Sequence, residues 1–99
     1  MTITRKQIID NKYNEMRDYI QTHLGVNFFP SLDDVETSDI LILIQMYFAP
    51  HYETGKYDTV IKDGFKLQNI RIEDDKFNQH YPFIKERIDF LIKFMKEQK

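Results

Sequence analysis

Apolar residues recur at steps of three and four along the first quarter of the chain. Ile8, Ile9, Tyr13, Met16, Tyr19, Ile20 and Leu24 fall on one side of a 3.6-residue repeat, and Asp10, Asn14, Arg17, Asp18 and Gln21 on the other. That alternation is the signature of an amphipathic helix and predicts one over residues 4–23. Thr4 is placed to cap its first amides. Gly25 stands where helices commonly end in a left-handed residue.

Residues 26–30 form a connector carrying Phe28 and Phe29, which as neighbours cannot point the same way. Ser31 followed by Asp33 and Asp34 looks like a helix start, and Ser38 with Asp39 like a second one. The segment therefore fits one interrupted helix or a short turn before a helix. From Ile40 to Phe48 every residue but Gln45 is apolar, a pattern expected of a segment buried on all sides. Ile40, Ile42 and Ile44 favour a strand; the acids before and Pro50 after favour a helix, and we expect a helix over residues 38–49.

Asp63-Gly64 lies between Thr59-Val60-Ile61 and Phe65-Lys66-Leu67. An Asp-Gly pair flanked by apolar residues is a strong short-range hairpin signal, since a type I′ turn needs positive φ at both central residues. A β-hairpin is thus expected over residues 57–72, with a bulge at Gln68-Asn69 restoring a common face for Phe65, Leu67, Ile70 and Ile72. Pro82 suits the first position of a final helix over 82–98. On that helix Ile84, Ile88, Leu91, Ile92 and Met95 make one stripe, and Phe83, Phe90 and Phe94 a second beside it. Together they span roughly 200°, where a helix on one core needs little more than ~100°.

The expected fold is α+β: three main helices packed with one β-hairpin, in a single domain over residues 1–99. Eight Phe, six Tyr and four Met against one Ala imply a core of few, large side chains. Net charge is −2 with both signs interspersed, which argues against the clustered basic face of a nucleic-acid binder. There is no cysteine, hence no disulfide framework, and a reducing, intracellular location is expected. The residues from Met1 to Lys6 lack the pattern of a signal peptide, and no apolar run reaches the ~18 residues of a membrane span. Ten lysines against four arginines, with abundant Ile, Asn, Asp, Tyr and Phe, match an AT-rich coding sequence. They make a viral or phage origin one expectation.

Candidate chemistry is sparse. His23, His51 and His80 show no ligand spacing, so surface and helix-end roles are expected and no metal or cofactor is. The acids at 33–39 and 73–75 stand at helix starts, where they favour the dipole. Glycines at 25, 55 and 64 are too scattered for a phosphate cradle. Lys56, Lys62, Lys66 and Arg71 on the hairpin give a winged-helix-like nucleic-acid binder as one alternative. Tyr47, Tyr52, Tyr57 and Tyr81 with His51 give a small-ligand or nucleotide-binding module as another. The leading expectation is a non-enzymatic protein–protein interaction module that self-associates as a homodimer or higher oligomer. Its edge would be Phe83, Phe90 and Phe94 with Arg87 at the rim, because aromatic residues and Arg are enriched at interfaces. In a viral setting it would serve virion assembly or inhibit a host or defence protein.

Overall fold

A computed structural model describes residues 3–97 of the chain. Four α-helices follow one another: α1 (Arg5–Leu24), α2 (Thr37–Tyr47), α3 (Asp58–Leu67) and α4 (Asp74–Glu97), with a single 3₁₀ turn at Ala49–His51 after α2. Among the described residues there is no strand, so the fold is all-helical and the α+β expectation is corrected. The reading of residues 1 and 2, and the expected end of the last helix at Gln98, lie outside the described residues.

The first helix forms as its sequence predicts. The Thr4 hydroxyl accepts from the Gln7 amide at 3.2 Å, and the Gln7 side chain accepts from the Thr4 amide at 2.9 Å, a reciprocal capping box. Gly25 ends the helix at φ 71°. Ile9, Tyr13, Met16, Ile20 and Leu24 are buried along one face. The helix also grips the connector: the Tyr13 hydroxyl donates to the Pro30 carbonyl at 2.6 Å, and Arg17 Nε to the Phe29 carbonyl at 3.2 Å. Burial pushes the Tyr13 phenol up to about 12, so it stays a donor at any ordinary pH.

Of the two arrangements open for residues 31–49, the structure takes a turn at 32–34 followed by a helix. The Ser31 hydroxyl accepts from the Asp33 amide at 3.2 Å, a local bond that serves a turn rather than a helix. The start of α2 is fixed from outside, by Thr37 Oγ1 donating to Asp10 Oδ1 at 2.6 Å. Only Ile40, Ile44 and, just past the end, Phe48 are buried here; Ile42, Met46 and Tyr47 are exposed. The expectation of burial on all sides is therefore corrected. Nothing in the described chain lies over the outer face of α2.

The hairpin expected over 57–72 is α3 and its flanks. Tyr57, Ile61 and Phe65 are buried at steps of four, the helical repeat, and Val60 and Gly64 lie beside them. Gly64 serves packing and not a turn. A Cβ there would sit 2.3 Å from Phe28 Cε2, so the helix backbone must stay bare for the ring to approach. Gln68-Asn69, expected as a bulge, is the helix stop. Asn69 is left-handed at φ 59°, Ile70 N bonds Phe65 O at 2.8 Å and Asn69 N bonds Lys66 O at 3.1 Å. That is a Schellman closure with Asn in the usual glycine position.

The last helix begins at Asp74, with Pro82 in its interior rather than at its first position. An interior Pro removes one backbone bond and disfavours the helix by ~3 kcal/mol. The extra turns offset this by adding Phe77, which is buried among Phe65 and Tyr81. Asp74 and Asp75 fill the first turn, where acids are favoured. The inner stripe of Ile84, Ile88, Leu91 and Ile92 is fully buried, and α4 lies against α1 and α2.

Candidate functional site

Along the seam between α1 and α4, early residues of one helix meet late residues of the other, so the two run antiparallel. Tyr19 stacks on Phe83 with ring centroids 3.9 Å apart and planes at 11°. The Arg87 guanidinium carbon lies 3.5 Å from the centre of the same ring. Both cannot occupy one face at those distances, so Phe83 is held between them. Lys12 Nζ stands 4.7 Å over Phe90, and the Arg5 guanidinium 5.9 Å over Phe94. Phe90 and Phe94 stack on each other at 5.9 Å.

The expected interface edge thus has a cover within the chain. It is built from cations whose apolar stems and charges both suit an aromatic face. Phe83, Arg87 and Phe94 are half-buried; Phe90 is 36% exposed. Arg87 pairs with Glu86 at 3.2 Å. Its buried Nε, 3.5 Å from Glu15, is out of line for a hydrogen bond.

Two histidines remote in sequence come together at one end of this seam. His23 and His80 stack with centroids 4.9 Å apart, and the Tyr19 hydroxyl is 2.8 Å from His80 Nδ1. Among the described residues no three His, Asp or Glu side chains are grouped to hold a metal ion.

The expected tyrosine site is a clamp on the 49–57 loop. The Tyr57 hydroxyl donates to Asp89 Oδ1 at 2.6 Å, and Lys85 Nζ to Asp89 Oδ2 at 2.7 Å. The Tyr81 hydroxyl accepts from the Tyr57 amide at 2.7 Å and donates to the Gly55 carbonyl at 3.0 Å. Burial, then the bond to Asp89, raises the Tyr57 phenol; the same carboxylate raises Lys85. Both hydroxyls are spent inside the fold. The neighbouring cleft, about 410 Å³, carries mixed charge from Lys12, Arg87, Lys93, Glu53, Glu86 and Asp89. The wing that a winged-helix reading needs is absent among the described residues. Lys62 and Lys66 lie on α3, where Lys62 reaches Asp74 at 3.9 Å.

The face that periodicity alone missed is the outer side of α2 with the end of α3. Ile42, Met46 and Tyr47 are 53, 65 and 56% exposed, and Leu67 is 87% exposed. Ile42 and Met46, four apart, form a ridge. Beside it runs an apolar groove of about 460 Å³ between α2 and α3, lined by Phe28, Leu43, Tyr47, Val60 and Leu67, in which Asp63 is the one charged lining residue among the described residues. The missed signal was the lack of any polar face on α2. In so short a chain three other helices leave one side of it uncovered.

No family model matches the chain, and no curated protein or solved structure matches it. No helix of the described residues is long and apolar enough to cross a membrane.

Proposed function

We propose that this chain is a non-enzymatic protein–protein interaction module that associates with a second copy of itself through the α2 ridge and the groove beside it. The observation that carries this is the exposure of Ile42, Met46 and Tyr47 on α2 and of Leu67 at the end of α3, with Tyr47 and Leu67 lining the groove between the two helices. Their open area is on the order of 500 Å², at the upper end of the ~300–600 Å² patches that monomers show. With a polar rim the face approaches the ~800 Å² per partner of a stable dimer. Ridge and groove stand side by side, so a two-fold axis places each ridge in the other copy's groove. The near absence of charge from the groove keeps like charges from meeting across that axis.

The experiment is sedimentation or light scattering of the wild type and of Met46→Glu with Leu67→Glu. A wild-type dimer that the double variant reduces to a monomer of unchanged helicity supports the reading. A wild type that stays monomeric at several hundred micromolar, or a variant of unchanged mass, overturns it. The edge of Phe83, Arg87, Phe90 and Phe94 is the second reading, favoured by the open flank of Phe90. Phe90→Glu, and not the α2 variant, would then dissociate the assembly. The abundance of Lys, Ile and Asn fits an AT-rich coding sequence, which viruses, phages and AT-rich bacteria share. In a viral or phage setting the proposed role is intracellular, in virion assembly or in inhibiting a host or defence protein.

A further inference from the structure

The other flank of α2 has a different chemistry. Leu41, Gln45 and Ala49 face Ile92 and Met95 of α4 across a groove of about 690 Å³, and among the described residues the rest of its lining is Arg5 and Lys96. Its floor is apolar apart from Gln45, and both of its charges are positive. Among the described residues neither cation enters an ion pair. Each stands on an aromatic ring instead: Arg5 over Phe94 at 5.9 Å and Lys96 over Tyr52 at 4.6 Å. The rings hold the cations in place at the rim without neutralising them, leaving two positioned donors beside apolar surface.

We infer that this groove receives an acidic amphipathic helix from a partner protein, with its apolar residues on the half-buried Leu41, Ala49 and Met95 and its carboxylates on Arg5 and Lys96. The helix-in-groove mode needs an apolar trough open along one side, as this one is, and flanking charges of the opposite sign to the partner's. The surface lies on the opposite flank of α2 from the groove proposed for self-association, so the two are separable. The carboxylate–cation pairs are rim contacts, which set salt dependence and choice of partner while the floor supplies burial.

The test is fluorescence anisotropy of a labelled helical peptide of about four turns, with Leu at i, i+3, i+4 and i+7 and Glu on the flanks, against the full chain. Controls are the same peptide with Lys for every Glu, and vesicles of phosphatidylglycerol. The acidic peptide is expected to bind, more weakly as salt rises. Arg5→Glu with Lys96→Glu should weaken binding at least about tenfold, whereas Met46→Glu with Leu67→Glu leaves it unchanged. Arg5→Gln with Lys96→Gln, which removes charge without reversing it, should flatten the salt dependence. Equal binding of the Lys peptide, indifference to both rim variants, or binding to vesicles with none to the peptide would each overturn the inference.

Discussion

Phe83 of α4 is clasped between Tyr19, 3.9 Å away across the helix seam, and Arg87, one turn further along its own helix, at 3.5 Å. The ring therefore reports on the whole seam. Replacing it with Ala removes half-buried aromatic surface and should lower stability by ~2 kcal/mol. Tyr19→Ala should act in the same direction. The two losses should overlap by ~1 kcal/mol in a double-mutant cycle, since each alone already breaks the stack. Strict additivity in chemical denaturation would show that the stack is not a unit.

At Gly64 helix propensity and packing oppose each other. Gly to Ala in a helix interior is ordinarily favourable by up to ~1 kcal/mol. Here the new methyl meets the Phe28 ring at 2.3 Å, and overpacking of this kind costs ~1–3 kcal/mol. Gly64→Ala should thus be destabilising. Adding Phe28→Leu should restore part of the loss, because the shorter side chain vacates the space. A stabilised single variant in thermal unfolding would contradict the close approach.

These two sites also show what was legible in the chain. The first helix was, because its stripe, its Thr4 cap and its Gly25 stop are all local. The third was misread because Asp63-Gly64 carries turn statistics, while the reason for Gly64 is a ring from a connector far upstream. The buried spacing of Tyr57, Ile61 and Phe65 was present and helical, but it was outweighed by that dipeptide. The last helix was expected to start at Pro82 for the same kind of reason: a local rule for Pro, overridden by the burial of Phe77. At the candidate site, the outer Phe stripe was visible but its cover was not. That cover is made by Arg5, Lys12, Tyr19 and Arg87, residues which a hydrophobic pattern mostly scores as solvent.

Asp10 joins α1 to the start of α2, accepting from Lys6 Nζ at 2.8 Å and Thr37 Oγ1 at 2.6 Å. Burial alone would raise its carboxyl, but the two hydrogen bonds and the Lys6 charge outweigh that and hold it below its ordinary value. A carboxylate depressed in the folded state contributes stability that is complete above its ordinary range, near pH 4. The contribution is lost as pH falls through the lower, folded value. Asp10→Asn should lower stability at neutral pH by ~1 kcal/mol and flatten the acid limb of a stability–pH curve. An acid limb that keeps its slope in the variant would assign the dependence elsewhere.

Asp89 collects the Tyr57 hydroxyl and the Lys85 ammonium on its two oxygens. Tyr57→Phe removes one partner and leaves the carboxylate paired, so a loss of ~1 kcal/mol is expected. Asp89→Leu leaves the inward hydroxyl of Tyr57 without an acceptor and should cost more, ~1–3 kcal/mol. Hydrogen exchange at the amides of residues 52–57 should quicken in both. If Asp89→Leu proves the milder change, the clamp is not what holds the loop.

The antiparallel seam has one more implication, for the order of events in folding. Arg5 lies over Phe94, and Lys12 over Phe90, so the first helix finds its partner in the last. On a ribosome the apolar face of α1 would emerge long before α4 exists to cover it, and closing that contact means closing a loop that contains α2 and α3. Such non-local pairing slows folding of an otherwise local helical chain. The same proximity brings residues near the two ends within a short linker of each other. Joining them and reopening the chain in the turn at 32–34 would make the α1–α4 contact local, and the permuted protein should refold faster than the original.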